Sequence, residues 1–131
     1  MGLLESARSL GWKLRCFSLC LCVYVMSLFL GCEAERRKSD AELGLNTQQT
    51  AGRRLYDQQC DRCHEPYSSR AKKGPSLQGV FKKQYLHVSG LPANDERVTE
   101  IIRLGRAKMP GFGQVLDEQR TADLLAYLHT L

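Results

Sequence analysis

The chain has 131 residues, of which 25% are charged and 43% hydrophobic, as expected for one small globular domain. The formal net charge of +5 is a mild excess, and the basic residues are scattered, so the composition does not favour nucleic acid as a partner. Such an excess suits either an acidic protein partner or an ordinary solvated surface.

The first stretch of the chain has the pattern of an export signal. Arg8, Lys13 and Arg15 precede an uncharged apolar run from Cys16 to Leu30. This is the order of a basic n-region followed by an apolar h-region. The run is short for a membrane span, which needs about 20 residues. We therefore predict a signal peptide or lipoprotein signal over residues 1–31, with an uncleaved anchor as the alternative.

The end of this segment, FLGCEAER, allows two cleavage sites. The tripeptide LGC resembles a bacterial lipoprotein signal, in which Cys32 becomes the lipidated first residue, although Phe29 stands where leucine is usual. Cleavage after Ala34 fits the small-x-small pattern of an ordinary signal peptide. Both sites predict a periplasmic or otherwise extracytoplasmic domain. A membrane tether through the N-terminus or a lipidated Cys32 is compatible with this prediction.

Only two of the six cysteines, Cys60 and Cys63, lie inside the predicted folded region. The chain therefore has no disulfide framework of the kind that stabilises many small secreted domains. Residues 32–47 are polar and charged, and we interpret them as a flexible tether. The folded domain is predicted over residues 48–131.

The first predicted helix immediately precedes the cysteines. In the segment QTAGRRLYDQQC, Ala51 and Leu55 lie along one side at helical spacing. Glycine and proline then recur between residues 65 and 93, which indicates loop. A short helical turn near residues 80–85 is compatible with this loop.

Two further helices are predicted in the second half of the domain. Asn94 or Asp95 caps the first of them, and Gly105 ends it. Asp117 caps the last helix, whose apolar side consists of Leu124, Leu125 and Leu128 with Tyr127 beside them. No segment shows the alternation of a strand, so the predicted class is all-α, with three to four short helices and long loops.

The motif CDRCH, residues 60–64, carries the strongest chemical signal in the chain. C-x-x-C-H is the spacing of c-type haem attachment, in which two thiols form thioethers with the haem and the histidine binds the iron. A zinc site needs four ligands, and a redox thiol pair expects a βαβ context, so both are weaker alternatives. We predict one covalent haem c on Cys60 and Cys63, with His64 as an iron ligand.

Met109 is the predicted second axial ligand. It is the only methionine outside the N-terminal segment, and it lies in KMPGFG, well beyond His64 in the chain. A lone methionine is more often a filler of the core. The glycines and proline of this loop allow the backbone to approach a flat group, which favours ligation of the iron.

Residues 50–131 resemble the class I cytochromes c. The resemblance rests on the Gly52-x-x-x-Tyr56 pattern, then CDRCH, GPSLQGVF, KMPGF and the terminal LLAYLHTL, in that order. It implies a small cytochrome c fold wrapped around one covalent haem. In this fold Gly52 and Tyr56 of the first helix meet Leu124 and Tyr127 of the last.

The resemblance also implies a partner for the histidine ring. The backbone carbonyl of Pro75 is expected to accept the ring proton of His64 and thereby fix the imidazole. The family's usual tryptophan partner for a haem propionate is missing, because Trp12 lies in the predicted signal. The propionate partners therefore stay unassigned.

With two strong axial ligands, the iron has no open position for a substrate. The resemblance therefore implies a one-electron carrier, not an enzyme, in a respiratory or other periplasmic electron-transfer chain. Its partners are expected to be redox proteins that bind briefly. The alternatives are a haem c subunit of a membrane-associated oxidase or dehydrogenase complex, and a ligand-binding or peroxidase-like haem protein.

Overall fold

The computed structural model describes residues 37–131. The predicted signal, Trp12 and the first four cysteines lie outside the described residues. Of the two units into which the chain divides, the second comprises Ser39–Leu131 and is compact. No helix among residues 37–131 has both the length and the apolar character that crossing a membrane requires.

Three α-helices make up the regular structure of the second unit: α1 (Thr47–Gln59), α2 (Asp95–Leu104) and α3 (Glu118–Leu128). A short 3₁₀ turn, Val80–Lys82, lies in the long loop between α1 and α2. Between residues 37 and 131 there are isolated β-bridges but no strand. The prediction of an all-α fold with long loops is confirmed.

The helix ends follow local signals in the sequence. Asn46 and Gln49 form a capping box at the start of α1, with reciprocal contacts of 2.8 and 3.0 Å. Asn94 accepts a hydrogen bond from the backbone of α2, and Asp117 does the same for α3. Gly105 ends α2 with a φ of 78°, a conformation that glycine adopts without strain. The predicted caps at Asn94, Gly105 and Asp117 are confirmed.

The core forms where α1 crosses α3. The backbones meet at Gly52, where an added Cβ would clash with the carbonyl of Asp123. Next to this crossing the rings of Tyr56 and Tyr127 pack with centroids 5.4 Å apart at 59°. Leu124 belongs to the same buried cluster. The expected meeting of the first and last helices is therefore present.

The unit begins earlier than the predicted boundary at residue 48. Residues 39–45 form a hydrogen-bonded turn, in which Leu43 N donates to Ser39 O at 3.1 Å. Asp40 then forms an ion pair of 2.5 Å with Arg53, whose side chain is only 8% exposed on the inner side of α1. The end of the predicted tether thus packs on the domain, because a charge on the buried face of α1 requires an anionic partner.

Candidate cofactor site

The motif CDRCH folds into a single turn that continues directly from α1. Cys60 is the C-cap residue of the helix, and its N–H donates to Tyr56 O at 2.8 Å. The N–H groups of Cys63 and His64 both donate to Cys60 O at 2.9 Å. Both cysteines are free and half-buried. The local chain geometry therefore gathers two thiols and an imidazole at the end of one helix.

The ring of His64 is fixed by the loop that follows. Its Nδ1 lies 2.8 Å from the carbonyl oxygen of Pro75. Because a carbonyl can only accept, Nδ1 carries the proton and Nε2 keeps its lone pair for a metal. Gly74 packs against the ring so closely that a Cβ there would lie 2.5 Å from Cε1. The contact expected between His64 and Pro75 is present, and Gly74 leaves room for it.

The main chain of His64 is held by a buried tyrosine, which the sequence analysis assigned only to packing. The hydroxyl of Tyr56 donates to His64 O at 2.8 Å, and Tyr56 is fully buried. Burial, aided by nearby Asp61, raises the pKa of the Tyr56 phenol far above its usual range, so it stays a protonated donor. A buried phenol needs a hydrogen-bond partner, so the expected packing of Tyr56 against α3 was a signal from which such a bond could have been predicted.

The ionisation of Cys60 argues against a redox-active thiol pair. Burial, and next the neighbouring Cys63, raise the pKa of the Cys60 thiol to about 12. Nucleophilic cysteines of thiol oxidoreductases have lowered pKa values instead. Among the residues that the structure describes, no group of three or more His, Cys, Asp or Glu side chains is arranged to hold a metal ion. The zinc and redox alternatives therefore lack structural support.

Met109 reaches the core from a different turn. Arg106 and Met109 exchange two backbone hydrogen bonds of 3.0 and 2.9 Å around Ala107, which has a φ of 52°. The Met109 side chain is half-buried and packs against the hydrophobic core. Within residues 37–131 no hydrogen bond joins it to the CDRCH turn. The structure thus brings together four of the five predicted site residues and places Met109 on a separate loop.

These side chains fit a covalent haem. Two thiols stand at the attachment spacing, an imidazole has Nε2 available, and a thioether sulfur lies on a second loop. A broad apolar group would pack on half-buried apolar side chains that border the core: Leu77, Phe81, Leu86, Phe112 and Leu125. The donor set and its apolar surroundings therefore match a haem c better than an isolated metal ion.

One comparison with known families gives a match. The family model described as cytochrome C oxidase, cbb3-type, subunit III matches residues 47–128. The matched segment starts at the first residue of α1 and ends at the last residue of α3, so it includes the CDRCH turn, Pro75 and Met109. No match was found among curated proteins.

Proposed function

Because the chain belongs to the family of c-type cytochrome domains typified by subunit III of cbb3-type cytochrome c oxidase, we propose that it carries single electrons between redox proteins outside the cytoplasm. Domains of this family bind haem c covalently and serve in electron transfer. The observation that carries the proposal is the CDRCH turn, which presents Cys60, Cys63 and an oriented His64 at the end of α1.

The ligand set explains why electron transfer is favoured over catalysis. When bound, the haem iron supplies a couple between the ferrous and ferric states. His64 would hold the iron through Nε2 while the Pro75 carbonyl keeps the proton on Nδ1. Met109 would supply a softer sulfur donor, which favours the ferrous state and raises the reduction potential. If His64 and Met109 both hold the iron, no position on it would be left for a substrate.

The protein around the site is suited to rapid electron exchange. Tyr56 and Pro75 hold His64 by its main chain and its ring, and Tyr56 itself packs at the crossing of α1 and α3. A ligand fixed from two sides changes position little between oxidation states. Little rearrangement is then needed when an electron arrives or leaves.

Covalent attachment tests the proposal directly. The full chain is produced in a bacterial host that attaches haem c, and haem is sought on the protein after denaturing electrophoresis. We expect haem on the wild type and on Arg62→Gln, which changes an exposed residue inside the same turn. We expect none on the double variant Cys60→Ser, Cys63→Ser. Haem that stays on the double variant, or its absence from the wild type, would contradict the proposal.

The family match also favours a second candidate, in which the chain is a haem subunit of a membrane oxidase. A membrane attachment through the N-terminus or a lipidated Cys32 would suit this role. Purification from native membranes in mild detergent separates the two candidates. Stable co-elution with a terminal oxidase supports the subunit, whereas a protein that elutes alone and exchanges electrons with several partners supports the free carrier.

A further inference from the structure

Lys72 lies in the loop after the CDRCH turn and binds both sides of that turn. Its ammonium group donates to Asp61 O at 2.9 Å and to Asp61 Oδ1 at 3.2 Å. It also lies 3.4 Å from Glu65 Oε2. Asp61 stands between the two cysteines, and Glu65 directly follows His64. One side chain thus spans the turn that carries both thiols and the imidazole.

The same loop also supplies the groups that orient the His64 ring. The N–H of Lys72 donates to Gly74 O at 3.1 Å, and the N–H of Gly74 donates to Cys63 O at 2.8 Å. Gly74 contacts the ring face, and the Pro75 carbonyl accepts from Nδ1. Residues 72–75 therefore form a short strap whose first residue is fixed by the ammonium group and whose last holds the imidazole.

The three contacts of the Lys72 ammonium group are partly shielded from solvent. The side chain of Lys72 is 32% exposed, and that of Glu65 only 15%. Charge-assisted hydrogen bonds of this kind stabilise more than neutral ones, although partial exposure screens them. By contrast, the neighbouring Lys73 is exposed and makes no hydrogen bond or ion pair with any described residue.

We propose that Lys72 is a positioning residue that keeps the Pro75 carbonyl on the His64 ring and thereby sets the donor strength of the imidazole toward iron. This inference rests on the proposed ligation of haem iron by His64. A carbonyl held on Nδ1–H makes the ring more basic and favours ferric iron. Loosening the strap weakens this contact, so the ferric state loses stabilisation and the reduction potential rises.

Hydrogen exchange of the His64 Nδ1 proton, followed by NMR in the reduced haem protein, tests the contact itself. We expect exchange about 3- to 10-fold faster in Lys72→Gln than in the wild type, because the strap opens more often. We expect Lys72→Arg, which keeps the positive charge beside Asp61 and Glu65, to exchange as slowly as the wild type. Lys73→Gln removes one charge from the adjacent position and leaves exchange unchanged.

The reduction potential separates positioning from mere charge. Lys72→Gln and Lys73→Gln lose the same charge from neighbouring positions, so bulk electrostatics shifts both in the same direction. We expect a higher potential for Lys72→Gln than for Lys73→Gln, with Lys72→Arg close to the wild type. Equal potentials and equal exchange rates in the two glutamine variants would overturn the inference.

Two further outcomes distinguish failure of the proposed function from failure of the role inferred for Lys72. A wild type that takes up no haem contradicts the proposed function, and the inference fails with it. A haem-bearing wild type with indifferent Lys72 variants contradicts the inference alone. If Lys72→Gln does not fold, the wild type is compared at about 0.01 M and about 1 M salt. The higher salt concentration screens the ion pairs of Lys72 with Asp61 and Glu65. Exchange at His64 must then accelerate while the buried amide of Val98 stays protected; an unchanged rate at His64 overturns the inference.

Discussion

His64 depends on two oxygen contacts made by residues outside its own motif. Its main-chain oxygen accepts from Tyr56, and its ring donates to the Pro75 carbonyl, each at 2.8 Å. The contact to His64 O is part-buried, and a buried carbonyl that loses its donor costs at most about 1–3 kcal/mol. The geometry of the motif therefore depends on a helix before it and a loop after it.

Alkaline stability tests the role of Tyr56. Burial raises its pKa above the ordinary 10.0, so the folded protein retains a proton that the unfolded chain releases. The stability that depends on this proton is therefore fully present below about pH 10. Above that pH, the free energy of unfolding falls by about 1.4 kcal/mol per pH unit. We expect Tyr56→Phe to be about 1–2 kcal/mol less stable at neutral pH, with a shallower decline above pH 10.

The measurement is denaturant unfolding of the haem protein at several pH values, followed by circular dichroism. Tyr85→Phe is the matched control, because Tyr85 is 53% exposed and its variant should decline like the wild type. A decline of equal slope in Tyr56→Phe and the wild type would show that Tyr56 does not ionise on unfolding as described.

At the level of helices, the contact between α1 and α3 depends on the missing side chain of Gly52. A Cβ at this position would lie 1.9 Å from Asp123 O and 3.0 Å from the Cβ of Tyr127. Asp123 O belongs to the backbone of α3, and the Cβ of Tyr127 is bonded directly to it. Neither atom can move aside as the end of a flexible side chain could. The two helices would have to separate.

We therefore expect Gly52→Ala to lower the free energy of unfolding by about 1–3 kcal/mol, although alanine is the better helix former. Urea unfolding of the haem protein measures it. Ala122→Ser adds one atom to an exposed position of α3 and should change the free energy by less than about 0.5 kcal/mol. A stabilised Gly52→Ala would refute the close crossing.

The helices were predictable because their signals are local. Asn94, Gly105 and Asp117 act through their own side chains or backbone, so short segments of sequence contain the information. The capping box at Asn46 is equally local and lies just before the predicted start of α1. The inward position of Arg53 was not predictable, because its partner Asp40 is brought to it only by the folded turn at residues 39–45.

On the scale of the whole molecule, the segment before α1 is joined to the domain. Asp40 pairs with the buried Arg53, and Leu45 packs against the core. A charged group inside a protein is stabilised mainly by its partners, so loss of one partner is costly. Residues 39–45 therefore contribute to the stability of the domain as well as to its connection.

Asp40→Asn tests this contribution. The amide keeps the shape of the side chain but removes the charge beside Arg53, and we expect a loss of about 1–3 kcal/mol in the free energy of unfolding. Glu96→Gln removes a carboxylate that is 75% exposed and should cost less than about 0.5 kcal/mol. Equal effects of the two substitutions in thermal or urea unfolding would mean that the segment does not stabilise the domain.

The part of the site that lies within one contiguous motif could be predicted from the sequence. The spacing of CDRCH identified Cys60, Cys63 and His64, and the resemblance supplied Pro75, whose contact with the ring is present. The hydrogen bond from the Tyr56 hydroxyl to His64 and the contacts of Lys72 with Asp61 and Glu65 were missed. Both depend on how the chain from residue 64 onward folds back. Met109 stays a prediction as a ligand, on a loop that packs against the core.

The visible absorption spectrum of the ferric haem protein tests the central claim most directly. Methionine bound to ferric haem gives a weak near-red band, and we predict this band in the wild type. Met109→Ala should lose it, bind carbon monoxide when reduced, and have a lower reduction potential. A wild-type protein that carries covalent haem but lacks the band would contradict ligation by Met109, and with it the assignment as an electron carrier.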